Sequence, residues 1–334
     1  MHATAARLYY AALRAHPRLQ ALSPAELQRP LQPGKWSPQE IIGHLIDSAA
    51  NNHQRFVRAQ LGLTDISPYR YEQDEWVRTQ HHAAADWPSL LSLWLSYQMH
   101  LAHVIAHIPE HLADTLLQRS MEEEVTLRWL AEDYVRHLRH HVAQVLPPGP
   151  IEPPASPPGV PPFWLLPLSA EHAPLVRYLG RATYAPYYPH CWKPGGLDWY
   201  MEHCFGQAAL HLDFSDPNIR YWVAADEQDE IIGLLKLGLQ RPIPGSDDPN
   251  ALYLEKIYLL PDHFGRGWGQ HLINCICDFA RALGRKAVWL YVLKTGPLAA
   301  YERAGFKCVG STYFGFDLLL EPHREGWLMV RELG

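Results

Sequence analysis

Cysteine is missing from the first half of this chain. Only five occur in 334 residues, all in the second half. An odd number without regular spacing excludes a disulfide framework and fits reduced thiols. Cys275 and Cys277 stand two apart on an expected helix and so face different ways, which makes them a poor metal pair. No apolar run approaches the ~20 residues that a bilayer span requires, and the N-terminus lacks a basic flank followed by an apolar core. The expected location is therefore the cytoplasm. Net charge is −6 with no long run of one sign, which gives nucleic-acid binding no electrostatic support and leaves a cationic amine compatible. No internal repeat is visible.

Histidine, by contrast, is abundant: 20 residues, 13 of them before position 150. The length suits about two domains, and 47% hydrophobic content is ordinary for folded protein. The boundary is marked by proline. Nine of the sixteen residues from Pro147 to Pro162 are proline; such a stretch continues no helix and reads as a semi-rigid spacer reaching at most roughly 50 Å, at ~3.1 Å per residue. The expected organisation is residues 1–146, a spacer at 147–162, and residues 163–334.

The first part has helical periodicity almost throughout. Helices are expected from Thr4 to Ala15, from the Ser37-Pro38-Gln39-Glu40 capping box to about Leu61, from Asp86-Trp87-Pro88 to Ile108 before Pro109, and from Thr126 to Leu146. Four helices with moderate connections, including a polar one from Tyr69 to His82, suggest an antiparallel bundle. On the last helix, His137 and His141 lie about 40° apart at 100° per residue. They share a face with Leu127, Leu130, Tyr134, Leu138 and Val145, so they point to the core, whereas His140 falls off that face. Imidazoles at i and i+4 are the usual way for one helix to offer two metal ligands. His103 and His107 have the same spacing but lie opposite the apolar stripe, and are assigned to solvent. His44 sits at the edge of the stripe of Ile41, Leu45, Asn52 and Phe56. Buried, hydrogen-bonded core histidines are the competing reading of the pair on the last helix.

The segments WSPQEIIGHLID and DYVRHLRHHVAQV resemble the signatures of the DinB-like (YfiT-like) metal-binding four-helix bundles over about residues 30–146. That resemblance implies one histidine from the second helix and a His-x-x-x-His pair from the fourth, hence His44, His137 and His141, around a divalent metal such as zinc or nickel. Three neutral imidazoles leave an open coordination position, as in catalytic zinc-type sites. Members of such families include thiol-dependent transferases and hydrolases.

In the second part, helical patterns around Ala173–Ala182 and Asp198–Phe205 precede a hairpin of Tyr221–Ala225 and Glu230–Leu237 about a polar turn. Later elements are a strand at 287–293, a short helix at 298–303 and closing strands, an α+β layout around one sheet. The richest stretch is LYLEKIYLLPDHFGRGWGQHLI, Leu252 to Ile273. Leu252, Leu254, Ile257 and Leu259 alternate imperfectly with Tyr253, Glu255, Lys256 and Tyr258, and Pro261 stops a largely buried strand. Gly265, Gly267 and Gly269 follow, then a helix. Glycines allow φ > 0 and close approach of a ligand, and a helix start offers unpaired N–H groups: a cradle for phosphate. No Gly-Lys-Ser or Gly-Lys-Thr follows, and the glycine spacing is not that of the dinucleotide fingerprint, so both of those cradles are excluded.

This stretch resembles motif A of the GNAT superfamily of acetyl-CoA-dependent N-acetyltransferases, with Phe264 at its usual Gln/Arg position. AYERAGFKCVG (Ala300–Gly310) is similar to the family's YEKxGF segment and WLMVREL to its last strand. The resemblance implies an acyl-CoA N-acyltransferase fold with a splayed central strand. The backbone of Ile257, Tyr258 and Leu259 would receive pantetheine, and the loop Phe264, Gly265, Arg266, Gly267, Trp268, Gly269 the pyrophosphate. It also implies Leu259 N–H as oxyanion donor and Tyr301 as the acid that protonates the departing sulfur. Two departures bear on cofactor affinity: Phe264 offers no polar side chain, only its N–H, and KTGPLAAY is about two residues short and lacks the family's asparagine. Glu255 is a candidate base, or a partner of Lys256 or Arg266. Tyr184, Tyr187, Tyr188, Trp192, Trp199 and Tyr200 suggest an acceptor pocket, or core.

The expected protein is an all-α DinB-like four-helix bundle followed by an α+β GNAT domain, acetylating a small amine, polyamine or amino-acid derivative from acetyl-CoA. Its expected partners are that small molecule and, for a homodimer, a second copy; no nucleic acid or membrane is expected. Two rivals stand beside it: a metal-dependent thiol transferase or hydrolase centred on the bundle, and a non-catalytic acetyl-CoA sensor.

Overall fold

The computed structural model describes residues 1–67, 71–146, 163–246 and 248–334; the spacer expected at 147–162 lies outside them. The chain divides into two units, Met1–Ile151 and Glu152–Gly334.

The first unit contains α1 (His2–Gln20), α2 (Pro24–Gln28), α3 (Pro38–Gln60), α4 (Gln73–Thr79), α5 (Trp87–Ala106), the strands β1 (Leu116–Ser120) and β2 (Glu123–Thr126), and α6 (Leu127–Val145). The long helices start where short polar side chains cap them. Ser37 and Glu40 cap each other's N–H groups ahead of α3, Asp86 accepts from Ser89 N–H at 3.0 Å, and Thr126 from Trp129 N–H at 3.0 Å; each such cap stabilises by about 1 kcal/mol. Both α1 and α3 pack against α5 and α6, burying Leu8, Leu45, Phe56, Trp94, Leu101 and Leu138 completely. Each of these side chains contributes roughly 1.5–3 kcal/mol from leaving water. α1 continues past Ala15 and through Pro17 because Leu19 remains core. The helical pattern is interrupted more than its periodicity suggests. β1 and β2 form an antiparallel hairpin between α5 and α6, too short to show a period of two.

The second unit begins with β3 (Phe163–Leu168), α7 (Ala173–Tyr184), α8 (Gly196–Phe205) and α9 (Gln207–Ser215). The hairpin β4 (Ile219–Asp226) and β5 (Ile231–Gly238) follows, then β6 (Ala251–Leu259), α10 (Trp268–Ala282) and β7 (Ala287–Leu293). α11 (Leu298–Arg303), β8 (Lys307–Tyr313) and β9 (Glu325–Glu332) complete it. Seven strands make one sheet in the order β3-β4-β5-β6-β7-β9-β8. Asp226 closes the β4–β5 turn by accepting the N–H groups of Gln228 and Glu230. All pairings are antiparallel except β6 with β7. α10, the crossover between those two, covers one sheet face with Trp268, Leu272, Ile273, Ile276 and Ala280 against Leu252, Leu254, Val288 and Leu290.

Two irregularities of β6 position everything that follows. Lys236 pairs with Lys256 but Leu237 pairs with Leu254, so Glu255 is the extra residue of a β-bulge. The bulge shifts the alternation by one and keeps Leu252, Leu254, Ile257 and Leu259 all on the α10 face, which accounts for the broken pattern in the sequence. The second irregularity is a parting of strands. The β6–β7 ladder covers only Ala251–Tyr253 against Ala287–Trp289 and then ends. Leu260 N–H donates to Ile232 O at 2.8 Å; by the alternation of an antiparallel ladder the backbone groups of Tyr258 also face β5, and those of Ile257 and Leu259 point into the gap.

Candidate functional site

In the first unit, His44 on α3 and His137 and His141 on α6 bring one ring nitrogen each within 4.8 Å of one another. The His44 and His137 Nε2 atoms are 3.3 Å apart. That equals the edge of a tetrahedron of nitrogens at the ~2.0–2.1 Å bond length of zinc, about 3.3 Å. The three rings meet edge-on, at 70°, 69° and 74° to one another. Burial first, then mutual repulsion, lowers His44 to about 3 and His137 to about 4, and burial lowers His141. All three are thus neutral, ligand-ready imidazoles at neutral pH. Ser48 Oγ lies 3.4 Å from His137 Nδ1 and Gln144 Oε1 2.9 Å from His141 Nδ1, partners that orient the rings. His44 is fully buried and, among the described residues, its Nδ1 has no hydrogen-bond partner. A cavity of about 640 Å³, bordered by Trp36, Lys35, Asp74 and Gln144, reaches His141. The donor set therefore fits a zinc-type dication with an accessible open position. His103, His107 and His140 are exposed, as their helical faces predict.

Two neighbours of this cluster escaped sequence reasoning. His82, in the polar connection before α5, is buried with Nε2 3.2 Å from Asp47 Oδ2. Its ring fills the space over Gly43, where a Cβ would stand 2.2 Å away. Asp47 also accepts from Gln80 at 2.6 Å. Tyr71 sits with its ring centroid 6.5 Å from that of His44. Burial, and then the Asp47 charge, raises its hydroxyl above the ordinary tyrosine range. Only Gly43, one residue before His44, hinted at a close approach.

In the second unit a cavity of about 340 Å³ opens where β6 and β7 part. Glu255, Ile257, Tyr258 and Tyr301 all line it, as do Tyr184, Tyr188, Trp192 and Tyr200. Tyr187 turns instead to Phe264, with ring centroids 4.7 Å apart, and Trp199 stacks on His203 at 4.9 Å. Burial, followed by the phenols of Tyr188 and Tyr258, raises Tyr301 well above the tyrosine range, so it keeps its proton. Glu255 is gripped by Lys256 Nζ at 2.8 Å and Lys236 Nζ at 2.9 Å, and Lys236 also meets Asp213 at 2.7 Å. Burial would raise the Glu255 carboxyl, but the charges of Lys256 and Lys236 outweigh it and hold it below the usual range.

The loop after β6 has the form a phosphate cradle needs. Gly265 (φ 72°) and Gly267 (φ 83°) are left-handed, with open space where a Cβ would stand. Gly267 caps α10, whose first intrahelical bond is His271 N–H to Gly267 O, so the N–H groups of the first turn face outward. Trp268 packs its indole in the core and can offer only its backbone. Phe264 departs from expectation: a 3₁₀ turn at Pro261–His263 engages its N–H with Pro261 O at 3.1 Å, which leaves the cradle to begin at Gly265. The open glycine loop and the unpaired edge of β6 together fit a pyrophosphate carrying an extended arm.

Comparison with known proteins agrees with both halves. Residues 7–145 match the model of the DinB superfamily, and residues 181–306 that of the acetyltransferase (GNAT) family. A Geobacillus thermodenitrificans protein named "Putative metal-dependent hydrolase" is 29% identical over 132 residues, 37% of this chain and 70% of its own length. The similarly named YfiT of Bacillus subtilis is 28% identical over 134 residues, 38% of this chain and 71% of its own. Among solved structures, the PaiA N-acetyltransferase of Thermoplasma acidophilum in complex with coenzyme A aligns at 16% identity and a TM-score of 0.41, covering 51% of this chain and 98% of its own. The chain thus joins an N-terminal domain of the DinB superfamily to a C-terminal domain of the GNAT acetyltransferase family.

Proposed function

We propose that the C-terminal domain acetylates a small amine, a polyamine or amino-acid derivative, using acetyl-CoA, and that His44, His137 and His141 of the N-terminal domain hold one divalent metal, zinc or nickel. The observation that carries the first reading is the conjunction of an unpaired β6 edge and a protonated tyrosine in one cavity with an open left-handed glycine loop following that strand in sequence. Acetyl-CoA, when bound, supplies the activated acetyl thioester. The N–H groups of Gly265 to Gly269 would hold its pyrophosphate, and the backbone of Ile257 and Leu259 its pantetheine. Leu259 N–H would donate to the thioester oxygen as that oxygen gains charge. Tyr301 keeps its proton at the hydroxyl for the departing sulfur. Glu255, ionised between two ammonium groups, is a weak base and serves best as a fixed negative charge that orients the incoming ammonium, which would release its proton to solvent before the free amine attacks, while the aromatic walls favour a cation. The five cysteines, all free of disulfides, support a cytoplasmic setting.

A second reading, favoured by the cavity at His141, places a hydrolase or thiol-transferase activity in the bundle. Free-thiol release from acetyl-CoA, measured on the full chain against an amine panel, tests the first. Amine-dependent release supports it. Saturable acetyl-CoA binding without release for any amine would make the domain a sensor, and metal-dependent turnover of an ester or thiol substrate would identify the bundle as the catalytic half.

A further inference from the structure

A second convergence of metal-binding side chains lies in the C-terminal domain, apart from the residues given roles above. His190, Cys191 and His323 bring one ligand atom each within 4.8 Å of one another. Local sequence explains how. Pro189 opens a 3₁₀ turn at Pro189–Cys191 that sets His190 and Cys191 side by side, and a second such turn, Glu321–His323, folds His323 back through its N–H to Leu320 O at 2.9 Å. The two segments are tied by backbone. Trp192 bridges Leu319 in antiparallel fashion, Leu320 N–H donates to Cys191 O at 2.9 Å, and Lys193 N–H to Leu318 O at 2.9 Å.

We infer that His190, Cys191 and His323 form a site for a borderline-soft divalent metal of the zinc type. Cys191 Sγ stands 3.5 Å from His190 Nε2, and the corresponding edge of a tetrahedral zinc site, from bonds of ~2.3 Å to sulfur and ~2.0–2.1 Å to nitrogen, is about 3.6 Å. The rings of His190 and His323 meet at 77° with centroids 5.4 Å apart, the same edge-on approach as within the bundle's triad. Thr295 Oγ1 lies 3.0 Å from His323 Nδ1; with Nδ1 as donor it fixes the tautomer that presents Nε2 to the metal. One sulfur and two imidazoles select zinc-like ions over magnesium or calcium, which prefer oxygen. Cys191 is buried, and a dication supplies the charge that lets a buried sulfur ionise.

The position gives the site a purpose. Trp192 and Leu319 line the cavity between β6 and β7, as do Gly296 and Pro297, which follow Thr295. One ion would therefore fasten two wall segments directly and a third through Thr295. The site stands independently of acetyl transfer, and its test needs no turnover.

The full chain, stripped with a chelator, is titrated with cobalt(II). The expected result is two equivalents bound and a thiolate-to-cobalt charge-transfer band, which an all-imidazole triad cannot give. Cys191→Ser removes the band and one equivalent, whereas Cys275→Ser retains both. His190→Ala, on an exposed side chain whose loss leaves the core intact, weakens the cysteine-linked binding by at least about tenfold. Absence of the band at saturating cobalt, its survival in Cys191→Ser, or a single equivalent that His137→Ala abolishes would each overturn the assignment.

Discussion

Tyr301 is a residue whose packing and whose proton can be separated. Its ring packs edge-on to Phe306 with centroids 6.1 Å apart and the residue lines the cavity, so Tyr301→Phe keeps the ring and deletes only the hydroxyl. General acid catalysis typically contributes 10²–10⁴-fold; we expect kcat to fall by roughly that range in single-turnover measurements, with acetyl-CoA affinity nearly unchanged. A parent-like chemical step would make Tyr301 a packing residue. The sign of its pKa shift adds a second readout. An acid acts while protonated, and Tyr301 is raised above the ordinary ~10, so kcat/KM should show no alkaline loss attributable to it below about pH 10. Glu255, its neighbour in the cavity, shows the limit of sequence reasoning at this scale. Its presence in the site and its pairing with Lys256 were legible, but the second ammonium that lowers its basicity, Lys236, stands nineteen positions earlier and is brought near by the β5–β6 register.

Among elements, the β6–loop–α10 unit is the one whose geometry a single substitution should undo. Gly267 has φ 83° at the N-cap of α10, a conformation a β-branched side chain resists at a cost of about 1–3 kcal/mol. Gly267→Val should therefore leave a folded domain, by circular dichroism, that no longer binds acetyl-CoA in calorimetry. Unchanged affinity would remove the loop from the site. This unit was also the most readable part of the chain, because its glycines and proline act locally. The cap at Ser37 and the helix starts at Asp86 and Thr126 were readable for the same reason, and α11 appears at the expected residues. Elements defined by distant partners were not. β3 is a sheet edge specified by pairing with β4. The β1–β2 hairpin carries little alternation, since within β1 only Leu117 is buried. The bulge at Glu255 was visible only as a fault in a pattern, and the His82–Asp47 pair joins a connection to a helix across 35 positions.

For the whole molecule, two units with separate cores predict two unfolding transitions rather than one. We expect calorimetry of the full chain to resolve them, with acetyl-CoA at about a hundred times its Kd raising only the second by roughly 5–10 °C. Zinc should raise the first, an effect lost in His137→Ala and kept in His103→Ala. A first transition indifferent to metal, or two equivalents of metal still bound in His137→Ala, would count against the bundle site. The triad's own span has a consequence for the order of events during synthesis. His44 and His137 are 93 positions apart, a gap of roughly 5–20 s at ribosomal speed. Throughout that interval His44 is a solitary imidazole, too weak to retain an ion, and α6 is the last helix of its unit to emerge. An ion held as proposed would therefore gain its full ligand set only after α6 has emerged and met α3, and would act as a late latch between those two helices.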